Sequence, residues 1–402
     1  MRICLAFAAV LTSFGQSLAL NGAALDPSLF RVTTFAEGLG YVLSIQPLGD
    51  GSLAVLSSPT FGGPSSILRF TEQGGPGTPI YSSPTGPLTN LIRMGDYYVL
   101  GNFGNQTVTF LKPAANPAAP MTAVADFRLV YLPGWLHNSL GLAARPAPGL
   151  PGFFDLVFNV GSQVNDQPTT AKVGLEGGLI GMTGLAQTQL DADSLYAMRI
   201  DARAVPAFTQ LTRIVSGIRN VDGMGFQPIT GDFYFADNAM DGPGADGDEP
   251  PEADELNRIA AGEFGQLINF GFPTCYIQYR TGVEIGSGCR QPVKTFQPIP
   301  FPLGFESEGP AEIAFAPPAF PAGFNHGIYV GFAGKFTVGA ANEENAVVFH
   351  NFSTGENLHF SESGQAGVGL PIGVLSTHDA LFISDFLTGK IYKITAAQPQ
   401  PG

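Results

Sequence analysis

The stretch ADNAMDGPGADGDEPPEADELNRI, residues 236–259, holds Asp237, Asp241, Asp246, Asp248, Glu249, Glu252, Asp254 and Glu255 within nineteen positions, in a chain of which only 13% is charged. Like charges this close repel, so water or a cation must offset them. Three glycines and three prolines from Gly242 to Pro251 exclude regular structure there. Carboxylates on such a turning loop can converge on Ca²⁺, which takes about six to eight oxygen ligands. EF-hand spacing is absent, and a solvated acidic loop is the alternative. The metal candidates are Asp237, Asp241, Asp254 and Glu255, the last two better fixed because they adjoin the strand-like LNRI.

Two further groups could do chemistry. SGIRNVDGMGF (216–226) sets Arg219 and Asn220 just before a strand, and GWLHNSLGL (134–142) sets His137 at the equivalent point one repeat earlier. A guanidinium there suits a carboxylate or quinone oxygen held bidentately. The alternative is an arginine paired with an acid of the adjacent loop. An imidazole at such a mouth is a candidate general base. His326, His350, His359 and His378 fall in turns or around an outer hairpin, and none makes zinc spacing with Cys275 or Cys289. GLEGGLIGMTG (174–184) reads as a glycine-rich loop before a strand, with no phosphate role.

The elements that must position these groups are strands. LSIQPLGDGSLAVLSS from 43, LTNLIRMGDYYVLGNF from 88, NSLGLAARPAPGLPGFFDLVFNVGS from 138, VDGMGFQPITGDFYFADN from 221, AEIAFAPPAFPAGFNHGIYVGFAG from 311 and PIGVLSTHDALFISDF from 371 share one plan. Each is an alternating strand, a Pro or Gly turn and a second strand rich in aromatic and β-branched residues. Six such units, with 52 Gly and 33 Pro and no helical period, predict an all-β, six-bladed β-propeller; a pair of β-sandwiches is the competitor. The last unit is one strand short, and FRVTTFAEGL (30–39) has the alternation to pair with GKIYKIT (389–395) and close the ring.

Residues 1–19, with Arg2 before an apolar run and small residues Ser17 and Ala19, read as a removed signal peptide, leaving a single propeller domain over 20–398. No stretch reaches the ~18–20 apolar residues of a membrane span. Removal of Arg2 leaves 18 basic against 33 acidic residues, which argues against a nucleic-acid partner. Cys275 and Cys289 remain, and in an oxidising compartment they would form a disulfide worth about 3 kcal/mol in the chain-entropy model.

The run GIRNVDGMGFQPITGDFYFADN…ADELNRIAAGEFG (217–265), with HNSLGL and DLVFNVGSQVND (155–166), resembles the glucose/sorbosone dehydrogenase family of soluble quinoproteins. The resemblance is strong over about 130–270 and diffuse elsewhere. It implies a six-bladed propeller that holds pyrroloquinoline quinone (PQQ) and Ca²⁺ at the channel mouth and oxidises a sugar-like alcohol or hemiacetal. His137 would take the substrate proton, Arg219 and Asn220 would hold cofactor oxygens, and Asp254 and Glu255 match a motif lying beside structural calcium. The chain also departs from the family pattern. Asn138-Ser139-Leu140 replaces a glycine pair, Gln365 stands near a late basic position, and the first blade lacks the usual Thr-Glu-Arg. Lys335 is a loose replacement for one lost cation.

The leading expectation is therefore an exported oxidoreductase acting on a small sugar or alcohol with PQQ and Ca²⁺, passing electrons to an external acceptor. One alternative is a non-catalytic, calcium-braced propeller that binds a glycan or protein. Another is a calcium-dependent lactonase-type hydrolase using Asn159, Asn220, Asp237 and Asn238.

Overall fold

Each of the six repeated units opens a sheet. The computed structural model describes residues 18, 20, 25–60, 62–242, 251–296, 309–333, 346–362, 371–386 and 388–397. Among these the one helical element is a three-residue 3-10 turn, Pro27–Leu29. The innermost strands are Tyr41–Pro47, Leu88–Met94, Leu142–Pro146, Val221–Phe226, Pro310–Phe315 and Gly373–Ser376, and each begins an antiparallel ladder. Each inner strand packs on the next, and the sixth packs back on the first, so the sheets stand in a ring as a six-bladed β-propeller.

The second strands show why the sequence folds this way. Leu53–Ser58, Tyr97–Asn102, Gly327–Phe332 and Ala380–Asp385 are buried at every position, because each face packs on a neighbouring blade. Such strands read as near-continuous apolar runs, whereas the solvent-facing outer strands alternate. Aromatic residues fill the wedges between blades. Phe30, Phe320, Phe324, Tyr329, Phe349 and Phe360 form one chain of edge and tilted contacts.

Ring closure follows the expected pairing. Phe30–Ala36 lies antiparallel to Lys390–Ala396, from Phe30 opposite Ala396 to Ala36 opposite Ile391. Phe30–Ala36 thereby completes the last blade as its outermost strand, which ties the first and last repeats together.

Two blades are larger than the simple plan. The connection from Phe153–Val160 to Ser194–Asp201 crosses to the preceding blade and adds Lys172–Gly177 and Thr188–Asp191 to its outer edge, making six strands. The bend of this excursion is clamped by Asp126, whose carboxylate accepts the N–H groups of Leu179, Ile180 and Gly181 at 2.9, 2.9 and 2.6 Å. The anion these amides hold is therefore the chain's own. In the following blade Ala207–Ser216 gains a short parallel partner, Ile268–Asn269.

Cys275 and Cys289 form the expected disulfide, with Cα atoms 6.4 Å apart. It ties off the excursion that carries the small hairpin of Tyr276–Ile277 and Glu284–Ile285. Gly271 beside it has φ +113°, and a Cβ there would lie 2.6 Å from that of Cys275, so only glycine fits.

Candidate functional site

His137 lies in the connection from Thr122–Val130 to the inner strand Leu142–Pro146, and Arg219 and Asn220 lie in the next one, from Ala207–Ser216 to Val221–Phe226. Gly161 and Ser162, just past the strand Phe153–Val160, fill the space between them. The His137 N–H donates to Ser162 O at 3.2 Å, and the Ser162 N–H donates to Arg219 O at 2.8 Å. A Cβ on Gly161 would sit 2.5 Å from His137 O and 3.0 Å from Arg219 O. The imidazole and the guanidinium thus belong to one rim, and a glycine is what lets their backbones approach.

The hydrogen bonds fix the tautomer of His137. Ser162 Oγ donates its proton to Val164 O at 2.8 Å. His137 Nδ1 lies 2.6 Å from that Oγ and 3.1 Å from Ser162 O, both of which are then acceptors. Nδ1 must carry the proton, which leaves Nε2 with a free lone pair. Burial, followed by the nearby Arg219 charge, pushes the imidazole pKa down to about 3 against a raising effect of the Ser162 carbonyl, so the ring is neutral at ordinary pH.

Arg219 is 3% exposed, and its guanidinium is already engaged. Nε donates to Asn165 O at 3.1 Å, while Nη2 donates to Asn165 Oδ1 at 2.8 Å and to Asp241 Oδ2 at 2.6 Å. Pairing with an acid of the adjacent loop, weighed from the sequence as an alternative, is present. Asp241 is accordingly a partner of Arg219 and stands apart from the other acids, with its side chain 76% exposed.

Asp237, Glu252, Asp254 and Glu255 gather where the strands Phe233–Asp237 and Asp254–Ile259 begin and end, all buried. Asp237 accepts the N–H groups of Arg219 and Asn220, and Asp254 those of Ala239 and Gly309, so these two carboxyls staple loops. Glu252 accepts from Met240 N and Glu255 from the Asn257 side-chain amide. Burial, before any other cause, pushes Asp237 and Asp254 up to about 7 and Glu252 to about 8; Glu255 is raised well above its usual range by burial and then by Glu252. The fully buried Asn257 keeps its Oδ1 without a hydrogen-bond partner beside Glu255. Among the described residues no group of three or more His, Cys, Asp or Glu side chains is arranged to hold a metal. Two carboxylates and an orphaned amide oxygen are what this corner offers.

The channel behind the rim is polar. Ser139 Oγ donates to Asn220 Oδ1 at 2.8 Å and accepts from Asn159 Nδ2 at 2.8 Å, while Asn159 Oδ1 accepts Gly141 N–H at 2.9 Å. The side-chain oxygens of Asn159, Asn220 and Asp237 thus have donors already, and Asn238 donates to Asn220 O and Pro310 O. Deeper in, Asn90 Nδ2 lies 3.3 Å from Glu312 Oε1. Burial raises Glu312 strongly, with Asp222 adding to it, and burial pushes Asp222 up to about 6 against a Ser139 hydrogen bond.

Lys335, Gln365 and the acidic tip of 243–250 lie outside the described residues. Sequence reading passed over Ser162 and Asn165, both inside the quoted DLVFNVGSQVND, because their roles depend on contacts with residues 25 and 54 positions away.

These features define a class by architecture: a six-bladed β-propeller closed by its terminal strands, with a polar rim formed by the second, third and fourth repeats. No protein-family model matches the chain, and no curated protein matches its sequence. Solved structures do. A Trichoderma reesei protein of carbohydrate-active enzyme family AA12 is 18% identical, with TM-score 0.61 over 96% of this chain and 100% of its own. The PQQ domain of pyranose dehydrogenase from Coprinopsis cinerea is 15% identical, with TM-score 0.62 over 94% and 98%. The soluble aldose sugar dehydrogenase of Escherichia coli is 15% identical, with TM-score 0.54 over 92% and 100%. At such identities the likeness is one of fold, and it agrees with the fold that the sequence resemblance implies.

Proposed function

We propose that the protein is an exported oxidoreductase that oxidises a sugar or related alcohol with PQQ, braced by Ca²⁺. The carrying observation is the meeting of His137 and Arg219 on the Gly161–Ser162 strip, which sets a neutral base beside a buried cation. The names of the structural neighbours, a pyranose dehydrogenase PQQ domain and an aldose sugar dehydrogenase, support the same reading. Export rests on the reading of residues 1–19 as a signal peptide, with which the disulfide is compatible.

The donors at the rim fit an anionic quinone. Arg219 and Asn220, with Lys335 as a further candidate, would hold its oxygens. A bound quinone would supply the acceptor for the hydride, two electrons and a proton, that leaves the carbon bearing the substrate hydroxyl. His137 Nε2 takes the hydroxyl proton, and Ser162 keeps Nδ1–H in place so that the lone pair stays aimed outward. The low basicity of the ring derives first from burial and then from the Arg219 charge. Glu252, Glu255 and the unpaired Asn257 Oδ1 suit a calcium ion, whose oxygen-only preference they meet. Dye-linked oxidation of a panel of aldoses, after incubation with PQQ and Ca²⁺, tests the proposal. Turnover that requires the quinone supports it, and hydrolysis of lactones or glycan binding without turnover points to the alternatives.

A further inference from the structure

Arg219 is clasped by two residues from neighbouring blades. Asn165 comes from the excursion between the second and third strands of one blade, and Asp241 follows the second strand of the next. They reach across the rim and bind each other as well as the arginine: Asp241 N–H donates to Asn165 Oδ1 at 2.8 Å, and Asn165 Nδ2 donates to Asp241 O at 3.1 Å. Arg219 Nε and Nη2 are both engaged by this pair, and among the described residues only Nη1 has no such bond. An incoming carboxylate that approaches now meets one nitrogen, whereas two parallel N–H donors are what make an arginine a strong anion site.

The geometry points to Asp241 as an internal competitor: its carboxylate, brought to the rim because Asn165 holds the Asp241 backbone, occupies Arg219 in the way an anionic ligand would, and so sets the affinity of the rim for small carboxylates. The buried end of the pair is fixed and the other end is not, since the Arg219 side chain is 4% exposed and that of Asp241 76%. A ligand therefore displaces Asp241 toward water without opening the core. The effect on quinone affinity rests on the function proposed above; the clasp itself does not.

The test uses the full chain and an arginine-directed dicarbonyl, phenylglyoxal, with modification at Arg219 read by peptide mass spectrometry and the exposed Arg203 as internal reference. Asp241→Ala removes the competing carboxylate at an exposed position, and Asn165→Ala releases it while leaving it intact. Both variants are expected to raise Arg219 modification, and the first to tighten PQQ binding in titration by roughly tenfold, the scale of one charge-assisted hydrogen bond regained. Equal modification in the wild type and both variants overturns the inference. Increased modification with no quinone binding in any of the three proteins leaves the clasp standing and removes the quinone reading.

Discussion

Asp237 and Glu255 stand directly opposite each other on paired strands, both buried, at 7% and 6% exposure. Residues so paired share one face of the sheet, and like charges there are destabilising. With Glu252 and Asp254 alongside, the corner must hold protons or a cation.

Stability at this corner should therefore depend on pH and on calcium together. A carboxyl whose folded pKa is raised contributes stability that is fully present below its unfolded value near 4 and is lost as pH rises through the folded value. Asp237 and Asp254 are raised to about 7 and Glu252 to about 8, so the window runs from about pH 4 to 8. Thermal melts in chelator should fall across that window, and added Ca²⁺ should raise the melting temperature more at pH 8 than at pH 5. A calcium effect of equal size at both values contradicts this account.

His137 is expected to behave as a neutral ring with its proton on Nδ1. Its folded pKa is depressed to about 3, so its contribution to stability is complete above the unfolded value near 6.5 and is lost as pH falls toward 3. Nitrogen-detected NMR should show an unprotonated Nε2 still present at pH 5. Ser162→Ala removes the shorter of the two acceptors of Nδ1–H and leaves the backbone carbonyl, so it should loosen the ring and lower turnover more than it raises KM, while His137→Ala should lower turnover by about 10²–10⁴. Threonine at 162 should restore much of the loss.

The terminal strand is a structural latch. Val32 sits opposite Ile394 in the closing pair, and proline there removes a backbone donor and adds a clash, at a cost of about 3 kcal/mol or more if the donor is a ladder hydrogen bond. Denaturant unfolding of Val32→Pro should shift to a lower midpoint, whereas Thr33→Ala, on an exposed face, should leave it nearly unchanged.

The disulfide makes a separate contribution. Cys275 and Cys289 are 14 positions apart, a loop for which the chain-entropy model gives about 3 kcal/mol. Cys275→Ser with Cys289→Ser should lower the unfolding midpoint while leaving the spectroscopic signature of β structure intact. Retained β signal with an unchanged midpoint would show that the bridge adds nothing.

The blades were legible because alternation and glycine or proline turns are local signals, and the closing strand because FRVTTF alternates with the right length. His137 and Arg219 could be placed for the same reason, since each directly precedes an inner strand. The partners that give them their chemistry were not legible. Asn165 and Asp241 lie 76 positions apart, and nothing near either says that they meet. GLEGGLIGMTG (174–184) reads as a loop, but its first four residues belong to the strand Lys172–Gly177, which its glycines hide and whose partner, Thr122–Val130, belongs to the preceding blade. The acid-rich stretch reads as a group of which only part holds metal, but its sequence does not show the division that the contacts make: Asp237 and Asp254 hold loops, Asp241 holds an arginine, Glu252 accepts Met240 N–H, and Glu255 accepts from the Asn257 amide whose Oδ1 has no hydrogen-bond partner.

Calorimetric titration of the purified protein with PQQ, in the presence of Ca²⁺, tests the central claim most directly. Saturable binding with a dissociation constant of about 1 μM or tighter, near −8 kcal/mol, and weakened at least tenfold by Arg219→Ala, is the predicted result. Absence of saturable binding up to about 100 μM quinone, in protein whose β structure is intact, would contradict it.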